Sequence, residues 1–464
     1  MRICCQSAMV VLTIAASLTG CRSTGTAPLH SVNPLLTTPP TDIKLVSGES
    51  TSEAHITPAP TGSFNQLTLL QAIELGLAHN PDLVTQRQAE RVSEAALGVA
   101  ETYPFNPSVQ IQATPYQRAQ DGVGGDGNTN HYVLLMQQIQ LANQQQHREE
   151  GASAALNSTR WSILQAQLLN VAQTERLYFS ALYQRGVRDL TKANADNNEQ
   201  LLTIFERQLQ AGQATAADVS IVRLDVQSTR QQAQLVEANY QTAMLDLKRQ
   251  LNLPMSQPLE LHEDLTRCRW HAADGNDIVA SLAANRPDVL AARASLDAAR
   301  ANCQLADAAR TPDLQAGPYY QKSDSGVTFV GFRAQIDLPI INNGSPLLRQ
   351  RSEELHQQTI AWQQLQTRAE LEARAAIDRY ERARQLIAAS TSTNDTALPI
   401  ELQKLEAQFV EGEVDVLRIF QARTSLIQSR RVFLDTLNEL AQSAAAVTAA
   451  TGVPPQSLVN DAIE

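Results

Sequence analysis

One segment of this sequence groups side chains that can bind metal ions. It contains His262, Cys268 and His271. Imidazole and thiolate groups can bind Zn²⁺ or Cu⁺. Their spacing, with gaps of six and three residues, matches no established metal motif, so we interpret the segment as a loop with scattered side chains. The sequence also lacks a Gly-rich phosphate loop, a G-x-S-x-G elbow and an H-E-x-x-H motif. It therefore predicts no enzyme: no catalytic residues, no cofactor and no metal site.

The composition favours long helices. The 464 residues include 48 acidic and 37 basic side chains, which gives a net charge of −11. An acidic balance argues against a general nucleic-acid-binding protein, which normally has a basic face. Beyond the N-terminus no apolar run reaches about 20 residues, which excludes a bundle of membrane-spanning helices. Abundant Ala, Leu, Gln, Glu and Arg is typical of long helices and coiled coils.

The first 20 residues are predicted to be a lipoprotein signal peptide. A single positive charge at Arg2 precedes an apolar core that is too short to cross a bilayer. The segment ends in Leu18-Thr19-Gly20-Cys21, which resembles the bacterial lipoprotein box and makes Cys21 the predicted site of lipid attachment. The alternative is an ordinary signal peptide followed by a chance Cys. An Asp directly after the lipid-bearing Cys is the usual signal for retention in the inner membrane. Arg22 follows Cys21 here, so we expect delivery to the outer membrane.

Residues 21–63 are dominated by Thr, Ser and Pro and are predicted to form an extended tether. Apart from Cys21, the mature chain keeps only Cys268 and Cys303, too few for a disulfide framework. A Cys268–Cys303 bridge and two free thiols are both open alternatives.

The body of the chain contains two copies of one unit. Pro81-Asp82-Leu83 corresponds to Pro287-Asp288-Val289, and Gly212 corresponds to Gly412. Each copy runs in the same order: a Pro-Asp pair, a helix, two alternating segments around a loop, a long helix, a Gly and a second long helix. The predicted divisions are a first repeat at 64–253, a linker at 254–276, a second repeat at 277–453 and a tail at 454–464.

The helical parts are unusually long. The stretch around 145–211 contains no Pro, and the stretch around 346–411 contains one after its start, Pro399. At about 1.5 Å per residue each stretch would extend roughly 100 Å. Gly212 and Gly412 are the predicted turns at which each helix reverses into its partner. After Gly212, apolar residues from Val219 to Leu247 alternate in steps of three and four, which is the spacing of a coiled coil.

Four shorter segments alternate between apolar and polar residues, at about 107–117, 131–141, 312–321 and 327–338. Runs of about ten residues with this period fit tilted strands that cross a bilayer, apolar outside and polar inside. Four strands cannot close a barrel, and an open edge in lipid is unfavourable, so either the chain oligomerises or the strands are soluble. Three copies would provide twelve strands around an open lumen.

This ordered set of features, in duplicate, resembles the outer-membrane efflux protein family (TolC-like). The resemblance implies a mainly α fold with a small β part, a homotrimer with a 12-stranded β-barrel in the outer membrane, and a periplasmic α-helical tunnel. It also implies a periplasmic adaptor (membrane fusion protein) and an inner-membrane pump, most similar to the resistance–nodulation–division branch. The segments that carry it are Leu67-Thr68-Leu69, Ala78–Leu83, Arg286-Pro287-Asp288, Ile139–Arg148, Ile336–Ile340 and Asn343-Gly344.

In this family the two Gly turns form the periplasmic tip, often with acidic residues six and nine positions later. Here Asp218 keeps the acid in the first copy, whereas the second copy has Arg418 and Gln421. We hypothesise that Asp218–Arg418 pairs latch the closed tip; the alternative is that Arg418 faces solvent or the adaptor. Exposed ion pairs are worth only about 0–1 kcal/mol, so several would have to act together. The residues carried over to the tip and gate are Gly212, Thr215, Asp218, Gly412, Asp415, Arg418 and Gln421.

The predicted function is a passive exit duct for a tripartite efflux system, lipid-anchored in the outer membrane and extending into the periplasm. A type I secretion duct, which has the same fold, is one alternative. A structural coiled-coil lipoprotein is the other, but a tether has no use for four strands with apolar faces. Because the pump selects the substrate in this family, neither a metal nor a drug can be inferred from these residues.

Overall fold

The computed structural model describes residues 66–114, 129–212, 214–273, 279–323, 326–394 and 416–460. The signal peptide, Cys21 and the tether lie outside the described residues. The helices are α1 Leu69–His79, α2 Pro81–Glu101, α3 Gln144–Gln210, α4 Ala216–Gln250, α5 Val279–Ala284, α6 Pro287–Ala308, α7 Ser345–Asn394, α8 Val416–Thr451 and α9 Pro455–Leu458. The strands are β1 Ser108–Thr114, β2 Asn130–Ile139, β3 Arg269–Trp270, β4 Leu314–Lys322, β5 Thr328–Ile336 and β6 Val459–Asn460. None of the helices in the described residues combines the length and hydropathy needed to span a membrane.

The long helix predicted for the first copy is confirmed. Helix α3 contains 67 residues without interruption, so it extends about 100 Å. In the second copy, α7 is described from Ser345 to Asn394, and the rest of the predicted run lies outside the described residues. Helix α3 packs against α4, α6 and α8, so it joins elements of both copies.

Local signals fix where the shorter helices begin. Thr68 caps α1 in a capping box with Gln71, as the spacing of the two residues predicts. The side chain of Asn80 accepts hydrogen bonds from the N–H groups of Asp82 and Leu83, and Pro81 occupies the first position of α2. The second copy has Arg286 at the corresponding position, where its side chain makes no cap and contacts Asp288 of α6 and Glu372 of α7.

The four predicted strands form one antiparallel sheet in the order β1-β2-β4-β5. The register aligns Ile111 with Val133, Val133 with Tyr320, and Tyr320 with Val330, so these side chains lie on one face. That apolar face is open in the single chain: Ile111 is 74% exposed and Val330 is 78% exposed. The opposite face is mostly polar, as predicted. β1 and β5 are the two edges of the sheet.

The main core lies between the helices. Two tyrosines are fully buried there, and each ties a helix to a connecting segment: Tyr178 donates to the carbonyl of Leu67, and Tyr380 donates to that of His271. Residues of the predicted linker and tail also enter this core, and the two segments pair as β3 and β6. The core members from these segments are Leu259, Leu261, Leu265, Leu458 and Val459. The linker and tail are therefore part of the packed body and do not lie outside it.

Candidate functional site

The end of the α3–α4 hairpin is where the resemblance places the gate. Gly212 has φ +72°, in the left-handed region that favours glycine. An added Cβ would meet no atom within 4 Å, so the backbone angle, and not crowding, is what requires glycine. The chain therefore reverses at the residue that the sequence predicts, immediately after α3 ends.

Thr215 and Asp218 begin helix α4 together. The N–H of Asp218 donates to the Thr215 hydroxyl at 3.3 Å, and the N–H of Thr215 donates to Asp218 Oδ2 at 3.0 Å. The Thr215 hydroxyl also donates to the same carboxylate oxygen at 2.6 Å. These bonds from the hydroxyl and the N–H of Thr215 lower the pKa of Asp218. Asp218 is thus a fully ionised cap residue, a role that its spacing from Thr215 could have revealed.

Behind the turn, three polar contacts join α3 to α4. Arg223 contacts Glu206 at 2.9 Å, and Arg230 contacts Glu199 at 2.5 Å. Next to these two ion pairs, the side chain of Asn198 donates to Asp225 at 2.6 Å. Partial burial raises the pKa of the Asp225 carboxyl. A small apolar cluster of Leu201, Phe205, Val219 and Val222 packs beneath them. The sequence shows Arg223 and Arg230 as repeated residues, but their partners lie across the turn and were not predicted.

The second turn is described only in part. Gly412 and Asp415 lie outside the described residues. The backbone of Arg418 lies in α8, but its side chain is outside the description, and Gln421 is exposed. The pairing of Asp218 with Arg418 therefore stays a hypothesis. In the described conformation, Asp218 Oδ2 is already engaged by Thr215.

Farther from the turn, a second set of contacts joins the two copies. Tyr183 of α3 donates to Asp435 of α8 at 2.6 Å, and Arg431 of α8 contacts both groups at 3.2 Å. Gly186 lies one turn away, where an added Cβ would come within 3.3 Å of Leu434. Close approach of two helices here therefore depends on a small residue. The sequence offered no signal for this contact, because its members belong to different copies.

Glu175 is the most deeply buried acidic side chain in the described residues, with 0% exposure. It lies on α3 close to Thr448 of α8 and Tyr380 of α7. Neither carboxyl oxygen is within hydrogen-bond geometry of a described partner, so the carboxyl is desolvated without a compensating hydrogen bond. Burial raises the pKa of its carboxyl to about 8, against the opposing effects of the Thr448 hydroxyl and the Arg176 charge. The sequence marks Glu175 only as an interruption in an apolar stripe.

The residues that could bind a metal are not assembled into a site. Within the described ranges, no group of three or more His, Cys, Asp or Glu side chains could hold a metal ion. His262 instead contacts Gln66 at 3.2 Å. Cys268 and Cys303 are half-buried thiols and are not joined by a disulfide in the part of the chain that the structure describes.

Comparison with known proteins gives a consistent result. A family model described as outer membrane efflux protein matches residues 72–253 and 278–453. Nodulation protein T of Rhizobium leguminosarum bv. viciae is 25% identical over 295 residues, and the match spans 61% of this chain but only 60% of that protein. The pyoverdine export outer membrane protein OpmQ of Pseudomonas putida is 23% identical over 390 residues, 79% of this chain and 82% of that protein. A crystal structure of CusC is similar with a TM-score of 0.67 at 18% identity, covering 87% of this chain and 98% of that chain.

Proposed function

Since the chain belongs to the outer membrane efflux protein family, we propose that it is the outer-membrane exit duct of a tripartite efflux system. The observation that carries the proposal is one chain that combines an open four-stranded sheet, apolar on one face, with a 67-residue helix. Open sheet edges in lipid leave backbone groups without partners, so four strands need further copies to close. Three copies supply twelve strands, enough to enclose a lumen. Their long helices then form the periplasmic tunnel.

In this function the protein is a passive channel and not an enzyme. Substrates enter from a periplasmic adaptor and an inner-membrane pump of the resistance–nodulation–division type, which supplies the energy, and diffuse out through the water-filled lumen. The names of two relatives, the pyoverdine export protein OpmQ and the cation efflux system protein CusC of Escherichia coli, support an export role. Acylation of Cys21 anchors each protomer to the outer membrane through the tether at 21–63.

Single-channel conductance of the detergent-purified protein in a planar bilayer tests this function, with the subunit stoichiometry measured on the same sample. We expect a trimer that gives discrete conductance steps. A monomer without conductance would contradict the duct and favour the coiled-coil tether. A folded trimer that stays silent would be tested again with the gate variants described next, which are designed to open it.

The gate proposal is that Asp218 and Arg418 pair at the closed tip, three times in the trimer. Exposed ion pairs are individually weak, so the three pairs of a trimer have to act together to hold the tip closed. Adaptor docking would break the pairs. Asp218 Oδ2 already accepts hydrogen bonds from Thr215, which cap helix α4. A test of the latch therefore needs one variant that changes the charge at the tip and another that changes only the cap.

Arg418→Asp should therefore raise the open probability measured in planar bilayers by at least several-fold. Asp218→Asn should have the same effect, because Asn keeps an oxygen for the cap but removes the charge. Thr215→Ala is the matched control: it removes the cap hydroxyl, leaves the Asp218 charge and should leave the channel closed. Unchanged conductance in Arg418→Asp would exclude the latch.

A further inference from the structure

The polar face of the sheet carries a single charged residue within the bounds of the four described strands. The register places Gln110, Leu134, Tyr319 and Gly331 in one row across this face, and Arg333 follows two residues after Gly331. The other polar-face positions are uncharged: Gln, Ser, Thr, Asn, Tyr, Gly and a few apolar residues. In a barrel whose apolar face meets lipid, this face lines the lumen.

Arg333 is exposed and lies near the hydroxyl of Tyr132, whose ring is a neighbour of the Tyr319 ring. Its guanidinium Nη1 lies 3.5 Å from the hydroxyl of Tyr132. The rings of Tyr132 and Tyr319 have centroids 6.1 Å apart. Tyr319 lies directly over Gly331, since an added Cβ there would be 2.6 Å from the ring. The absence of a side chain at Gly331 therefore leaves room for the Tyr319 ring over the sheet.

Among the described residues, no ion pair joins Arg333 to a carboxylate. Asp313 and Asp337 continue this face just beyond β4 and β5, and Asp313 accepts hydrogen bonds from Gln138 and Gln144. The strand ends at Thr114, Asn130, Lys322 and Thr328 are the ones remote from the long helices, since α3 follows β2 and α7 follows β5 at the opposite ends. Tyr132 is near that end, since it is the third residue of β2. Arg333 pairs with Gly317 in the row that begins at Ser108, the first residue of β1, so it lies in the half of the sheet nearer the helices and its guanidinium extends towards Tyr132.

We propose that Arg333, repeated three times in the trimer, makes the barrel lumen of the duct selective for anionic solutes, with the rings of Tyr132 and Tyr319 as an aromatic wall on its exterior side. This inference rests on the proposed function, because it needs a closed lumen. Rings of Arg or Lys side chains favour anions in pores, and a pore with low-dielectric walls concentrates the field of such charges. A guanidinium also offers paired donors that match a carboxylate or phosphate. The favoured solutes are carboxylates, most of all those with an aromatic ring that can stack on tyrosine.

The test is the reversal potential of single channels under a KCl gradient, for the wild type, Arg333→Gln and Arg333→Glu. We expect the chloride-to-potassium permeability ratio to fall in that order, by on the order of tenfold in total. Lys322→Gln is the matched control, since the register places Lys322 on the apolar face of the same sheet, and it should keep the wild-type ratio. An unchanged ratio in a conducting Arg333→Glu channel would overturn the role of Arg333 while leaving the duct intact.

A second measurement does not depend on an open tip. Benzoate and benzamidinium are matched aromatic probes of opposite charge, and calorimetry on the purified trimer measures their binding from the exterior end. We expect the wild type to prefer benzoate and Arg333→Glu to lose that preference by about tenfold. Equal binding of benzoate by both proteins would overturn the proposal. A trimer that never conducts, even with Arg418→Asp, would instead count against the duct itself.

Discussion

Replacing Glu175 with Gln should stabilise the protein, and the gain should grow with pH. The carboxyl of Glu175 is fully buried, and burial raises its pKa from an ordinary value of 4.5 to about 8. An acid whose pKa is higher in the folded state binds its proton more tightly there. The wild type therefore loses stability as the pH rises from about 4.5 to about 8, where the unfolded chain ionises freely and the folded chain does not.

The expected gain in the free energy of unfolding is large. A pKa difference of this order corresponds to about 3 kcal/mol per protomer at pH 7 and about 5 kcal/mol above pH 9. Gln has nearly the same shape as a protonated Glu and does not ionise, so Glu175→Gln removes this loss. The groups that face Glu175 are Arg176 on its own helix, Tyr380 on α7 and Thr448 on α8, and the substitution leaves all three in place.

Thermal unfolding of the detergent-solubilised protein at pH 5, 7 and 9 measures this effect. The melting temperature of Glu175→Gln should exceed that of the wild type by a margin that widens from pH 5 to pH 9. Glu353→Gln is the control, because Glu353 is an exposed residue of α7 and its removal should give a small, constant difference. A margin that stays constant with pH would mean that the folded protein ionises Glu175 as readily as the unfolded chain does.

Much of the fold could be predicted from sequence because its signals are local. Helix α3 follows from a long stretch without Pro, and the turn at Gly212 follows from the need for positive φ. The strands follow from the alternation of apolar and polar residues within each segment. Each of these signals lies within one element, so neighbouring residues are enough to identify it.

The contacts that give these residues their chemistry are not local. Thr448, which faces Glu175, lies in the other copy of the repeat, and Tyr132, which contacts Arg333, lies in the other hairpin of the sheet. The gate was predicted from the residues of the two turns. The structure shows in addition that Asp218 caps helix α4 together with Thr215, so its carboxylate has a second role besides the proposed latch. The segment at 254–276 was predicted only as the link between the two copies, and the packing of its leucines in the core could not be inferred from that position.

Arg286 shows how the two copies diverge at one matched position. Asn80 of the first copy caps a helix, whereas Arg286 is 6% exposed and contacts Asp288 at 2.6 Å and Glu372 at 2.9 Å. It thereby ties α6 to α7. The two carboxylates are more exposed than the guanidinium, so each can regain water if its partner is lost, while the buried charge of Arg286 cannot.

Asp288→Asn and Glu372→Gln should therefore act non-additively on the free energy of unfolding. Each single substitution leaves one carboxylate beside Arg286 and should cost about 1–2 kcal/mol, whereas the double variant leaves a buried, unpaired charge and should cost about 3–5 kcal/mol, more than the sum of the two. Urea unfolding at one protomer concentration measures the three variants. Glu370→Gln breaks an exposed pair with Arg374 on the same helix α7 and should cost no more than about 0.5 kcal/mol. Additive single effects would show that solvent or another group neutralises Arg286, and that the tie between α6 and α7 is not electrostatic.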